Sequence, residues 1–164
     1  MNACIKHNTT APTDHEIERT MSQLVPQVHD LLHRITNTEP DTSKEQGYRM
    51  MSPLGFPDGV GEGWVAAELF RYRDAVRLDI RIDHNRVFAD PAGGPTERRC
   101  FLNDYIASVT LAVGADTIPA EFVRTVVAGI TAARDAVRRH NKQSAAPWAE
   151  IRVAAASLQG EPVA

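Results

Sequence analysis

The sequence predicts an α+β protein: an antiparallel β-meander sheet with amphipathic helices covering one face, in the order α-β-β-β-α-α-β. Three observations carry that expectation. From Val76 to Asp83 the chain reads Val-Arg-Leu-Asp-Ile-Arg-Ile-Asp, with apolar and charged residues in strict alternation, and only a strand repeats with period two. Upstream, Ile17, Met21, Leu24, Val28, Leu31 and Ile35 recur at alternating steps of four and three, the seam of one helix. Downstream, apolar residues return at helical spacing in two further runs, 96–114 and 116–142.

The first helix is expected over 14–36. Thr13 and Glu16 stand at capping-box spacing at its start. Pro26 falls nearly opposite the apolar seam, on the convex solvent side where a lost hydrogen bond is best tolerated, so the pattern predicts one bent helix rather than two. From Asn37 to Gly63 glycine and proline crowd the chain and predict a long loop, with Tyr48 to Met51 as a short edge strand and with Met50, Met51, Leu54 and Phe56 tucked under the domain or onto a ligand. Trp64 to Arg73 is the next strand. A turn at Asp74-Ala75 would set Glu68 opposite Arg81 and Leu69 opposite Ile80, matching charge to charge and apolar to apolar.

His84-Asn85 reads as a tight turn that folds Arg86 to Ala89 back, with Asp83 opposite Arg86, Ile82 opposite Val87 and Arg81 opposite Phe88. Pro91 to Pro95 is a loop. Thr96 then caps a second helix with the face Phe101, Leu102, Tyr105, Ile106, Val109, Ala112 and Val113, ending at Gly114. Asp116, Thr117 and Pro119 begin a third, with inner face Phe122, Val123, Val126, Ile130, Ala133 and Val137. It closes on Arg134, Arg138, Arg139, His140 and Lys142, cations that complement a helix C-terminus. A last strand runs from Trp148 to Ala155 through Ile151 and Val153. The domain spans 14–156, with flexible tails at 1–13 and 157–164.

At 164 residues, 43% hydrophobic and 24% charged, the chain fits one domain with one core. Its apolar runs are too short to cross a bilayer, its start lacks a secretory pattern, and Cys4 and Cys100 make no disulfide framework, so no membrane and a cytoplasmic setting are expected. A net charge of -3 weighs against nucleic acid as a partner. No motif requires a cofactor. Gly59 to Gly63 resembles a phosphate cradle only in glycine content, because no Lys-Ser/Thr and no helix follow it.

The register sends Trp64, Phe70, Tyr72 and Phe88 to the charged face, among Arg77, Asp79, Arg81, Asp83 and Arg86. That is more aromatic surface than a solvated face needs. Aromatics beside arginines are typical interface anchors. The expected function is therefore that of a small non-catalytic interaction or accessory protein, binding another protein or a second copy of itself through Trp64, Phe70, Tyr72, Arg77, Arg81 and Phe88. Glu68, Asp79, Asp83 and Asp90 offset the arginines and would repel phosphate. Two other readings of this face stand beside it: the loop over 37–63 covers the aromatics, or it closes over a small ligand.

An enzyme is the competing class. His29 and His33, four apart on a helix, share a side and could hold one metal ion, as in a metal-dependent hydrolase. Asp30, however, stands where the zinc-protease helix motif has its glutamate, and its side chain is a methylene shorter. His15 and Glu18 lie too far along the axis to complete the set, so polar flanks without metal are expected. Cys100 beside Arg98 and Arg99 in a helix's first turns would favour a thiolate. Without an identifiable base it reads as an incidental thiol.

Overall fold

The computed structural model describes residues 11–43, 47–54, 63–88 and 98–159, with side chains for all of these except 85–88, 98–101 and 141–159. The elements are α1 (Asp14–Thr36), β1 (Asp41–Ser43), β2 (Tyr48–Pro53), β3 (Gly63–Tyr72), β4 (Ala75–Phe88), β5 (Arg98–Ala112) and α2 (Ala120–Gln159). The strands form one antiparallel five-stranded sheet in chain order. Helix α1 lies over β2, β3 and β4, and α2 over β4 and β5, their apolar residues sharing one core with the inward row of the sheet. An antiparallel α+β meander with helices on one face is thus what the chain forms, but with five strands and two helices in the order helix, five strands, helix, rather than the expected four strands and three helices.

Helix α1 begins and ends where its caps require. The Glu16 N–H donates to the Thr13 hydroxyl at 3.3 Å and the Thr13 N–H to the Glu16 carboxylate at 2.7 Å, closing the capping box. At the other end Asn37 takes a left-handed φ of 56° and its N–H bonds the His33 carbonyl. Pro26 sits exposed inside an unbroken helix, while Ile17, Met21, Leu24, Val28, Leu31 and Leu32 are buried. Thr20 ties this helix to the far end of the sheet: its hydroxyl donates to the Glu16 carbonyl at 2.8 Å and accepts from the Gly114 N–H at 2.9 Å.

Alternation in the sheet sends Val65, Ala67, Leu69, Val76, Leu78, Ile80 and Ile82 inward, where each is essentially inaccessible. Full burial of such a side chain contributes roughly 1.5–3 kcal/mol. The β3–β4 turn is Arg73-Asp74, with Arg73 at φ 55°, and pairs Tyr72 with Ala75. Glu68 therefore faces Asp79 and Leu69 faces Leu78, two residues from the expected register. A shift of two preserves which face each side chain takes.

Four expectations fail. The chain from 37 to 63 is no single loop, because β1 and β2 lie within it; the strand at Tyr48 is second from the edge, since β1 pairs outside it. The turn at His84-Asn85 does not form. Strand β4 runs on to Phe88, held by β5, whose Leu102 and Phe101 stand opposite His84 and Asn85; cross-strand pairing over this length outweighs two turn-tolerant residues. The expected second helix is β5. A bulge between Ile80 and Arg81 of β4 leaves Ile106 as the extra residue opposite them, and this change of phase disguises a strand as a helix. Leu102 and Val109 are both inward by register and Ile106 touches α2, so the spacing 102, 106, 109 looks helical. Finally, 148–155 belongs to α2. Four alanines from Trp148 to Ala156 favour helix, and two alternating apolar residues are too few to impose a strand. Arg134 to Lys142 consequently lie mid-helix, where the dipole argument does not apply.

Candidate functional site

Both helices occupy one side of the sheet, and no described element crosses the other. The register places Trp64, Ala66, Glu68, Phe70 and Tyr72 of β3 there, facing Asp83, Arg81, Asp79, Arg77 and Ala75 of β4. Five of the six residues expected to bind a partner, Trp64, Phe70, Tyr72, Arg77 and Arg81, are thus brought onto one open face. The argument for Phe88 lapses with the hairpin. It pairs with Arg98 and shares the strand parity of Ile82, not of Arg81, and its side chain lies outside the described residues.

The centre of the face is an ion-paired lattice. Arg81 bonds Glu68 through Nη1 and Asp83 through Nε, each at 3.0 Å. Arg49 of β2 reaches the same two carboxylates from the other side, at 3.5 and 3.9 Å. Asp83 is 4% exposed, so its charge depends on these partners. Burial works against the Arg81 charge, but the carboxylates of Asp83 and Glu68 outweigh it and make the guanidinium more basic than usual. Arg77 is shifted the same way, chiefly by its 2.7 Å hydrogen bond to Asp79.

Aromatic residues flank the lattice. Tyr72 is 37% exposed and carries the guanidinium carbons of Arg77 and Arg73 at 5.2 and 5.5 Å from its ring centre, within cation–π range. Tyr105, register partner of Arg81, is 61% exposed. Sequence reasoning missed it by assigning 98–112 to a helix; the density of aromatic and β-branched residues from Phe101 to Val113 was the available signal. Arg49 lies in the strand expected over Tyr48 to Met51 but was not among the expected site residues, because its partners Glu68 and Asp83 follow only from the pairing of β2 with β3 and of β3 with β4.

Beside Phe70 the face opens into a groove of about 700 Å³ lined by Ser43, Tyr48, Arg49, Glu68, Leu69 and Arg71. Its floor requires a glycine. Gly47 has φ 128°, and a Cβ there would lie 2.3 Å from the Leu69 carbonyl oxygen, so the backbones of β2 and β3 meet more closely than any other residue permits.

The residues of the enzyme readings lie elsewhere. His29 Nε2 lies 3.3 Å from one Glu39 oxygen and His33 Nδ1 3.7 Å from the other, and His33 also bonds the Thr38 carbonyl at 3.1 Å. The two histidines clasp a local carboxylate, and among the described residues no three His, Cys, Asp or Glu side chains are arranged to hold a metal ion. Cys100 is in β5 opposite Arg86, not in the first turns of a helix, and its side chain is outside the described set. His84, 0% exposed, meets the 40% exposed Asp104 at 2.8 Å on the helix-covered side of the sheet. The glycine-rich run 59–63 lies outside the described residues up to Gly63, which opens β3. No helix is long and apolar enough to cross a membrane among the described residues. Compared with known protein families, with curated proteins and with solved structures, the chain matches none of them.

Proposed function

We propose that the chain is a non-catalytic binding module that docks another protein on the open face of its sheet. The observation that carries this reading is a pair of exposed tyrosines, Tyr72 and Tyr105, flanking an arginine–carboxylate lattice over which no described element passes. Tyrosine and arginine are the residue types on which interface energy concentrates. The arginines Arg49, Arg77 and Arg81 are each ion-paired, so these three offer no unbalanced positive row to a phosphate backbone. The groove at Phe70 favours a second reading, a small ligand held against β2 and β3.

Single alanine variants separate the two. For a protein partner, Tyr105→Ala should weaken capture by on the order of 2 kcal/mol without lowering the melting temperature, and Phe70→Ala should weaken it too. For a small ligand, Phe70→Ala alone should abolish stabilisation by the compound. A Tyr105→Ala variant that binds like the wild type removes the sheet centre from the interface.

A further inference from the structure

The two edges of the sheet are built very differently. The β1 edge is three residues long, fully exposed, begins with Asp41 and follows Pro40; a short strand with a charge beside a proline is a blunted edge. The β5 edge has fifteen residues. Its bulge at Ile106 interrupts regular pairing, but beyond it, from Ala107 to Ala112, the strand is regular, and from Tyr105 to Ala115 the chain holds no charged residue and no proline. Between Tyr105 and Leu111, no described group outside the sheet hydrogen-bonds this backbone. An unblunted edge of that kind is a template for another strand.

We propose that the occupant is β5 of a second copy, paired antiparallel about a two-fold axis at Val109. The segment is complementary to itself in that register. Ala107 stands opposite Leu111 of the second copy and Ser108 opposite Thr110, so apolar residues meet on the helix-covered face and hydroxyls on the open one. Directly opposed residues share a face, and this alignment joins the two cores under a continuous sheet. The adjoining helix leaves room. A Cβ on Gly129 would come within 2.7 Å of Ile106, so α2 lies tight on β5, and Thr125, Ala132 and Ala136 of α2 are small and exposed. The pairing closes at two copies, because it is isologous and the remaining edge is β1.

The test is sedimentation equilibrium of the full chain across the micromolar range, with circular dichroism of each variant. The wild type should be a dimer. Thr110→Lys, on an exposed position, should weaken self-association at least tenfold with the spectrum unchanged, Ser108→Lys should do the same, and Thr110→Val should keep the dimer. Phe70→Ala, on the open face, should also keep it, which separates this interface from the partner face proposed above. A monomeric wild type, open-ended growth, or a dimer that survives both folded lysine variants would each overturn the proposal.

Discussion

Arg81 and Glu68 are bonded at 3.0 Å although they are not register partners: Glu68 stands opposite Asp79, and Arg81 opposite Ala66. A long side chain can span this diagonal. The offset lets one guanidinium serve two carboxylates, Glu68 on the neighbouring strand and Asp83 two residues along its own. It also relieves a conflict, since Glu68 and Asp79 are like charges set directly across two strands.

Arg81→Met should therefore destabilise the fold by about 2 kcal/mol, because among the described residues it leaves the buried Asp83 with the longer ion-pair contact to Arg49. Arg77→Met should cost less, its partner Asp79 being 26% exposed. Urea unfolding midpoints of the two variants check the order. Equal losses would mean that burial of the carboxylate is not what makes the Arg81 pairing matter.

Ile80→Asp should prevent folding or cost several kcal/mol, as an unpaired carboxylate replaces an inaccessible side chain. Asp79→Asn, one residue away on the other face, should change stability little. Thermal melts of both variants report directly on which face of β4 is dry.

Gly47 and Gly114 both adopt positive φ, at 128° and 86°, but a Cβ at Gly114 would meet nothing within 4 Å. Gly114→Ala should lose only the backbone preference, about 1 kcal/mol. Gly47→Ala adds a clash with the Leu69 carbonyl and should lose clearly more, with amide exchange speeding up across β1 and β2 first. Similar losses at the two sites would contradict the close approach of β2 to β3.

The capping box gives α1 a pH dependence. Hydrogen bonds from the Thr13 backbone N–H, and then its hydroxyl, hold the Glu16 carboxyl below its usual range. These bonds exist only in the folded chain, so the stabilisation is complete above the ordinary carboxylate value of about 4.3 and disappears as pH falls through the lower folded value. Glu16→Gln should accordingly melt below the wild type at pH 7, and the gap should narrow in acid. A gap constant with pH would show that the carboxylate charge contributes nothing to the cap.

Where local and tertiary signals agree, the sequence was enough. Thr13 and Glu16 mark the start of α1 and the face of β4 follows from its alternation, because those patterns state their own geometry. Phe122, Val126, Ile130 and Val137 of α2 are buried as their spacing implies. Strand β5 was hidden because its signal depends on a partner: the bulge at Ile106 makes sense only against Ile80 and Arg81 of another strand. The same dependence hid Tyr105. The lattice was partly legible, since Glu68 and Arg81 share a face in any register differing by two residues, whereas Arg49 required the pairing of β2 with β3, which no pattern within either strand states.

The Arg73-Asp74 turn decides which length changes this protein can survive. A pair of residues added there would lengthen the connection and leave every side chain of β3 and β4 on its present face. One residue added without a compensating bulge would turn one strand over, carrying Leu78, Ile80 and Ile82 to water and Arg77, Asp79 and Arg81 into the core. In descendants of this gene, insertions at this hairpin should therefore occur in even numbers of codons, and an odd one should arrive with a new bulge beside it.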